Sequence, residues 1–508
     1  MSKVSKNILY NGLGQGLSVL LGLLAVRFVF RRLGGDALGL IYLSLAFSGA
    51  LSVVLQLGIC ESAVREVASS CARGSEYIKG FIRTSSMFYW TGYLSLAIVT
   101  YMLAPWLVQH WVKLDSLDAA TAIAMMRILS LGALVALPGG LYRALLVGLQ
   151  HQGLTNLIDV SGKGLQQGGI FLILLAHGSL FDVAYWIAAS MTAQVVVYWV
   201  VCARIFSMRA MLPGYSRGVV ERNVGYASSL MTITLCAWVL TQADKVIVSK
   251  LLPLASLGIY TFARGVIHQG MLLTGAINNA IFPHFSALYG AGKTGEMKSA
   301  YHKIHDFICC ATIPVFAAVP FAAIPLFSHL FDLRSARLLL LPVTFLCIGY
   351  YMNGTLTTPY VVSLAVGRPD IVAKQNAVAL FVVVPASVVA IYFFGLSGAG
   401  FSWVIYHLFT YSYGLPRICR ECLEIQPQVW YRRLLRIMGS AVLIYGSAWT
   451  VLATLGAFSL LALATAYALA TAVYSFLVLR FMGGGGRLRI TEYLRPLGLK
   501  SRAVMVPE

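Results

Sequence analysis

Runs of about twenty or more mostly apolar residues follow one another from Ile8 to Phe481, with short connections between them. Each is long enough to cross ~30 Å of hydrocarbon. Lipid offers no water to a backbone amide, so spans of this kind are helical. The chain is 59% hydrophobic and 11% charged, whereas a soluble domain carries about 25% charged residues. It reads as an all-α integral membrane protein rather than a globular domain with an anchor. The first run, behind Lys3 and Lys6 and reaching Phe30, is too long for a signal-peptide core and reads as an uncleaved first span.

About 14 spans are expected: roughly 8–30, 38–62, 82–108, 121–148, 153–176, 180–205, 223–249, 255–288, 303–329, 336–365, 371–394, 398–420, 434–455 and 457–481. The connections then alternate in charge. One side receives Lys3 and Lys6, Arg73, Lys79 and Arg83, Arg204 to Arg222, Lys293 to Lys303, Arg368 and Lys374, Arg417 to Arg436, and the tail from Arg480. The other receives Arg31, Arg32, Lys113, Lys250, Arg334 and Arg337. This asymmetry places both termini in the cytoplasm and requires an even number of spans. It also accounts for the net charge of +20, which in a soluble chain would suggest nucleic acid.

An internal echo divides the chain. Val26 to Tyr42 lies over Lys245 to Thr261 at a constant offset, with Leu38-Gly39-Leu40 on Leu257-Gly258-Ile259. Span 1 then falls on span 7 in the same orientation, a parallel repeat of the sort found in secondary transporters. The expected plan is a six-helix lobe at 1–207, a basic linker at 208–222, and a second, pseudo-symmetric six-helix lobe at 223–424. Two additional spans follow at 425–482, then a basic flexible tail at 483–508.

No extramembrane segment is large enough for a catalytic domain, and there is no D-x-D, H-E-x-x-H, G-x-x-x-x-G-K-[ST] or G-x-S-x-G. Catalytic residues and a cofactor are therefore not expected. The nine cysteines suggest neither a disulfide framework nor a metal site.

Ionisable residues inside a bilayer are expensive, and face cavities or one another. Arg27, Arg127, Arg143, Lys163, Lys245 and Arg264 lie well inside the expected spans, and Arg65 at the end of one; the acids there are Glu61, Asp159 and Asp244. The excess of cations suggests an anionic substrate. Glu61–Arg65 and Asp159–Lys163 have the spacing of local helix pairs, and Arg127 and Arg143 could reach an interface. Arg264 sits roughly 14 Å into its span, with no acid within four residues. A guanidinium there suits a phosphate, which it meets with a planar fork at any working pH. Tyr350, Tyr360, Tyr406 and Tyr411 could stack on sugar rings, although interfacial belts are the commoner use of tyrosine.

At these residues the chain resembles the Wzx-type oligosaccharide flippases of the polysaccharide transporter family, in the superfamily of multidrug, oligosaccharidyl-lipid and polysaccharide exporters. The likeness is carried by Arg32-Leu-Gly34 with Leu38-Gly-Leu40, Leu57-Gly58 with Arg65, Gln242 to Val248 followed by Leu257 to Tyr260, Ala280 to Ser286, and Ala365 to Arg368. It implies two six-helix lobes around a cationic cavity. It also implies movement of an undecaprenyl-pyrophosphate-linked oligosaccharide across the bacterial inner membrane by alternating access, for O-antigen or other surface polysaccharide. Arg264, Arg65 and Arg27 fall in the spans whose cations line that cavity in the lipid II flippase, although the acid that precedes the arginine there is Ala263 here. Lys163 and Lys245 are further candidates for substrate, and Asp244 and Asp159 for ion coupling. A polysaccharide polymerase and chain-length proteins are the partners the resemblance brings with it. The rival readings are an ion-coupled multidrug-type efflux transporter, which would want unpaired acids, and a non-catalytic membrane subunit of a polysaccharide synthase.

Overall fold

A computed structural model describes residues 3–56, 58–68, 75–456 and 458–482. Its elements are helices throughout. In order they are α1 (Lys3–Leu33), α2 (Gly35–Gln56), α3 (Ile59–Ala68), α4 (Ser75–Trp106), α5 (Ala119–Leu134), α6 (Ala136–Gly148), α7 (Gln152–Leu175), α8 (Leu180–Phe206) and α9 (Met208–Met211). Then come α10 (Arg217–Leu251), α11 (Leu254–His268), α12 (Leu272–Gly290), α13 (Thr294–Leu330), α14 (Leu333–Ala365), α15 (Pro369–Glu421), α16 (Pro427–Leu455) and α17 (Leu460–Met482). No strand occurs among the described residues. The expected tail, 483–508, and the connection carrying Arg73 lie outside them.

The helix ends follow local chemistry. Asp118 accepts from the Thr121 amide at 2.8 Å, Asp332 from the Ser335 amide at 2.8 Å, and Ser179 and Asp182 form a reciprocal capping box. Proline opens α15 and α16, where its missing amide costs nothing. Breaks fall where the ladder cannot continue. Gly58, at φ +64°, separates α2 from α3, a conformation glycine adopts without strain. Pro138 has no amide to give the Leu134 carbonyl, and α5 ends there.

The 53 residues of α15 make two passes rather than one. Gly395 has φ +57° and ψ −133°, and the chain doubles back on itself there. Gln375 bonds Thr410 at 3.1 Å, Tyr406 bonds Asn376 at 3.2 Å, and a Cβ on Gly398 would lie 2.0 Å from the Ala390 carbonyl oxygen. These pairs are those of an antiparallel hairpin, and its turn falls between the expected spans 371–394 and 398–420. Nine helical stretches among the described residues are long and apolar enough to cross a bilayer, with α15 counted once. In α7, Asp159, Lys163, Gln166 and Gln167 interrupt the apolar run, and it is not among the nine. The number fourteen stays a proposal.

The chain forms two compact units, Met1–Thr261 and Phe262–Glu508. In the first, α3, α4, α6 and α8 enclose a core of Phe81, Tyr89, Leu141, Tyr142, Leu145 and Cys202, and Trp90 Nε1 donates to Tyr142 Oη at 2.9 Å. Here α10 packs on α2, α3 and α4. The boundary expected from charge, 208–222, lies before α10, whereas packing groups α10 with the helices that precede it. The six-plus-six division remains a proposal.

Within this unit the segment 110–117 is braced at both ends. One carboxylate oxygen of Asp36, at the start of α2, accepts from the amides of Asp115 (2.8 Å), Ser116 (2.6 Å) and Leu117 (3.3 Å). The Lys113 carbonyl accepts from the Leu254 amide at 3.0 Å, Lys113 Nζ donates to the Leu251 carbonyl at 2.8 Å, and Lys250 Nζ to the His110 carbonyl at 2.6 Å. Beneath this brace α2 and α11 touch through backbone. A Cβ on Gly39 would lie 2.0 Å from the Leu254 carbonyl oxygen, and one on Gly258 would lie 2.7 Å from the Gly39 nitrogen.

In the second unit α13, α14 and α15 pack together, with α16 and α17 on α13. Tyr467 and Tyr474 of α17 donate to the α13 carbonyls of Pro314 (3.0 Å) and Cys310 (3.4 Å).

Candidate functional site

Arg264 is held on α11 and is 5% exposed. Its Nε donates to Tyr350 Oη on α14 at 3.3 Å, and its guanidinium carbon lies 4.7 Å from the centre of the Trp403 ring on the second pass of α15. A desolvated cation over an indole face gains about 2 kcal/mol, so a buried arginine is tolerated here without an acid on its own helix. Further rings adjoin that contact. Tyr350 and Trp403 are 5.0 Å apart, His407 stacks on Trp403 at 5.1 Å, and His268 lies 5.5 Å from Tyr350. The Trp403 indole N–H is buried and has no acceptor among the described residues. A buried donor without an acceptor costs roughly 1–3 kcal/mol. The site thus combines a buried guanidinium with a buried indole N–H that lacks an acceptor among the described residues, donor chemistry that suits an anion.

The first unit holds the other candidates. Asp244 of α10 is 4% exposed and accepts from Tyr260 Oη at 2.6 Å. Lys245 turns elsewhere: Nζ donates to Gln242 Oε1 at 2.9 Å, and the side chain lines an almost wholly apolar cavity of about 320 Å³ with Tyr42, Phe47, Trp106, Trp111 and Trp238. Arg27 is half-buried in α1. Arg65 bonds Glu66 Oε1 at 2.9 Å and Asn223 Oδ1 at 3.1 Å. The expected Glu61–Arg65 pair is not formed. The break at Gly58 starts a new helix at Ile59, which leaves Glu61 exposed in its first turn while Glu66 is buried.

Asp159 does not pair with Lys163 either. One carboxylate oxygen accepts from Arg143 Nε of α6 at 3.0 Å, and the other from Gln194 (3.0 Å) and Tyr198 (2.8 Å) of α8. The partners come from two neighbouring helices, a packing that helical spacing alone does not specify. Lys163 is exposed on α7, and no ion pair among the described residues includes it. Arg127 donates to the Tyr101 carbonyl at 3.1 Å and lies 3.8 Å from the centre of that residue's ring.

Trp403 is the site residue that sequence reasoning passes over. It stands far along the chain from Arg264, in an apolar run, and no local spacing links the two. Tyr350 was legible as an intramembrane tyrosine, though its partner is the arginine. Also passed over is the C-x-x-C spacing of Cys419 and Cys422, which are buried free thiols. No group of three or more His, Cys, Asp or Glu is placed to hold a metal among the described residues.

Long apolar helices, broken passes and buried charges with partners on other helices define a multi-pass membrane protein. Its sequence matches the model of the family described as "Polysaccharide biosynthesis protein" over residues 28–332, and the chain belongs to that family. It is 21% identical over 408 residues to a "Putative O-antigen transporter" of Shigella flexneri, a match covering 79% of this chain and 94% of that one. Among solved structures it is similar to the lipid II flippase MurJ in an inward closed conformation, with a TM-score of 0.73, 13% identity, and coverage of 93% and 99% of the two chains. It is also similar to an inward-facing multidrug resistance MATE family transporter of the MOP superfamily, with a TM-score of 0.65, 16% identity, and coverage of 79% and 94%. The chain shares its fold with these two proteins.

Proposed function

We propose that the protein is a flippase which moves an undecaprenyl-pyrophosphate-linked oligosaccharide across the bacterial inner membrane by alternating access, for surface polysaccharide synthesis. Family membership supports the pathway. The observation that carries the substrate class is Arg264, buried on the face of Trp403 beside an indole N–H that lacks an acceptor among the described residues. Pyrophosphate oxygens would accept from these donors, and the fork of the guanidinium would fix their orientation. Arg65, Arg27, Lys163 and Lys245 are proposed as further cationic contacts along the path. Both termini are proposed to be cytoplasmic.

The efflux reading needs acids free to exchange an ion. Asp159 holds three donors and Asp244 is bonded to Tyr260, which favours the anion-carrying reading. The test is export in a strain lacking the native copy, with abundance checked by blot. Arg264→Ala should abolish surface polysaccharide at normal abundance, and lipid-linked precursor should accumulate on the cytoplasmic face. Arg264→Lys, which keeps the charge and loses the fork, should retain part of the activity. Wild-type export from a well-expressed Arg264→Ala protein would remove Arg264 as the phosphate site.

A further inference from the structure

The N-terminal end of α16 carries three arginines, and they are used differently. Arg433 faces α13, where it lies 3.6 Å from Asp306 and 3.2 Å from His302 Nδ1. Arg432 and Arg436 are exposed, and no ion pair among the described residues includes them. Four residues apart, they stand on one face, about 5–6 Å from each other. With Gln428, Tyr431 and Leu435 they line a surface groove of about 500 Å³.

The same helix changes character directly beyond this groove. From Ile437 to Leu455 it has no charged residue; that stretch spans roughly 28 Å, close to the ~30 Å hydrocarbon thickness. Arg432 and Arg436 therefore fall at headgroup level when it fills the hydrocarbon. Leu435 in the groove and Val442 and Leu443 beyond it are apolar and exposed. The buried side of α16, with Trp430, Leu434, Ala441 and Tyr445, packs inward, so the basic-then-apolar face is the one left for lipid.

We infer that this groove is a binding site for an anionic phospholipid, with its phosphate between Arg432 and Arg436, its polar head against Gln428, and its acyl chains along Leu435, Val442 and Leu443. Two arginines outside every ion pair among the described residues match the charge, the apolar continuation matches the tails, and the uncharged length sets the depth. A zwitterionic lipid brings its own cation against the arginines and is disfavoured.

The test uses the full-length protein in mild detergent, incubated with equal amounts of phosphatidylglycerol and phosphatidylcholine bearing the same chains. Native mass spectrometry reads the retained lipid. Wild type should retain phosphatidylglycerol in excess. Each basic residue near an anionic headgroup is worth about fivefold, so Arg432→Gln with Arg436→Gln should weaken that retention on the order of thirtyfold. Arg209→Gln, which removes a different exposed cation, should keep it. If the double variant does not fold, the wild-type selectivity and the single Arg436→Gln variant carry the test. No preference in wild type, an unchanged preference in the variants, or displacement of the lipid by millimolar inorganic phosphate would overturn the assignment. So would retention of a polyprenyl phosphate in place of the phospholipid.

Discussion

Gly39 and Gly258, from opposite halves of the chain, meet backbone to backbone where α2 and α11 cross. They are also the two glycines that the internal echo places at equivalent positions. A side chain on either would fall within the contact distance of real atoms, so the small residue is what allows the helices to touch.

Gly39→Ala and Gly258→Ala should therefore each destabilise the protein by about 1–3 kcal/mol, the usual cost of overpacking, read as a lower melting temperature in detergent. The double variant should cost less than the sum, because both substitutions open one contact. Gly446→Ala, at a helical position with nothing within 4 Å, is the control and should be neutral. Melting temperatures unchanged by the first two substitutions would mean that this crossing does not contribute to stability.

The anion site can be divided between its two donors. Trp403→Phe keeps a ring for the guanidinium and removes the N–H, so it should lower export partially at normal abundance. Trp403→Leu removes both and should approach the loss seen with Arg264→Ala. Arg127→Ala, whose guanidinium lies over Tyr101, should be milder. Equal export from the Phe and Leu variants would show that the ring does not matter to transport, and export at the wild-type level from both would remove the N–H as well.

Asp159 offers a choice between brace and coupling site. Its three donors come from α6 and α8, which suggests a brace. Arg143 and Asp159 are partly exposed, so their coupling in a double-mutant cycle should be modest, about 1 kcal/mol or less. Arg143→Asp combined with Asp159→Arg should restore stability and export lost in the single variants. A double variant that is stable and transports nothing would make Asp159 a transport residue instead.

The orientation rests on loop charge. Cysteines placed at Lys113 or Ser335, on a background without native cysteines, should react with an impermeant reagent from outside. A cysteine at Ser216 should not. Labelling of Ser216 from outside would reverse the assignment of sides.

How much of this was readable in advance depended on distance along the chain. The turn of α15 at Gly395 fell between two expected spans, because a mostly apolar helical stretch of 53 residues is too long for one crossing. Arg264 stood out because no acid lies nearby on its helix. What surrounds it was invisible: Trp403 and Tyr350 reach it through packing, and apolar periodicity does not say which faces of distant helices meet. The same limit explains the two ion pairs expected at helical spacing and not formed. Arg65 took the buried Glu66 rather than the exposed Glu61, and Asp159 took Arg143, Gln194 and Tyr198 of neighbouring helices rather than the exposed Lys163.

The hairpin of α15 also bears on how the chain enters the bilayer. Its tip is Tyr392-Phe393-Phe394-Gly395-Leu396, with the three aromatics largely exposed. There is no polar loop here for an insertion machine to leave on the far side, and aromatic rings prefer the interface. A tip of this kind suits entry of the two passes into the bilayer together, as one helical hairpin.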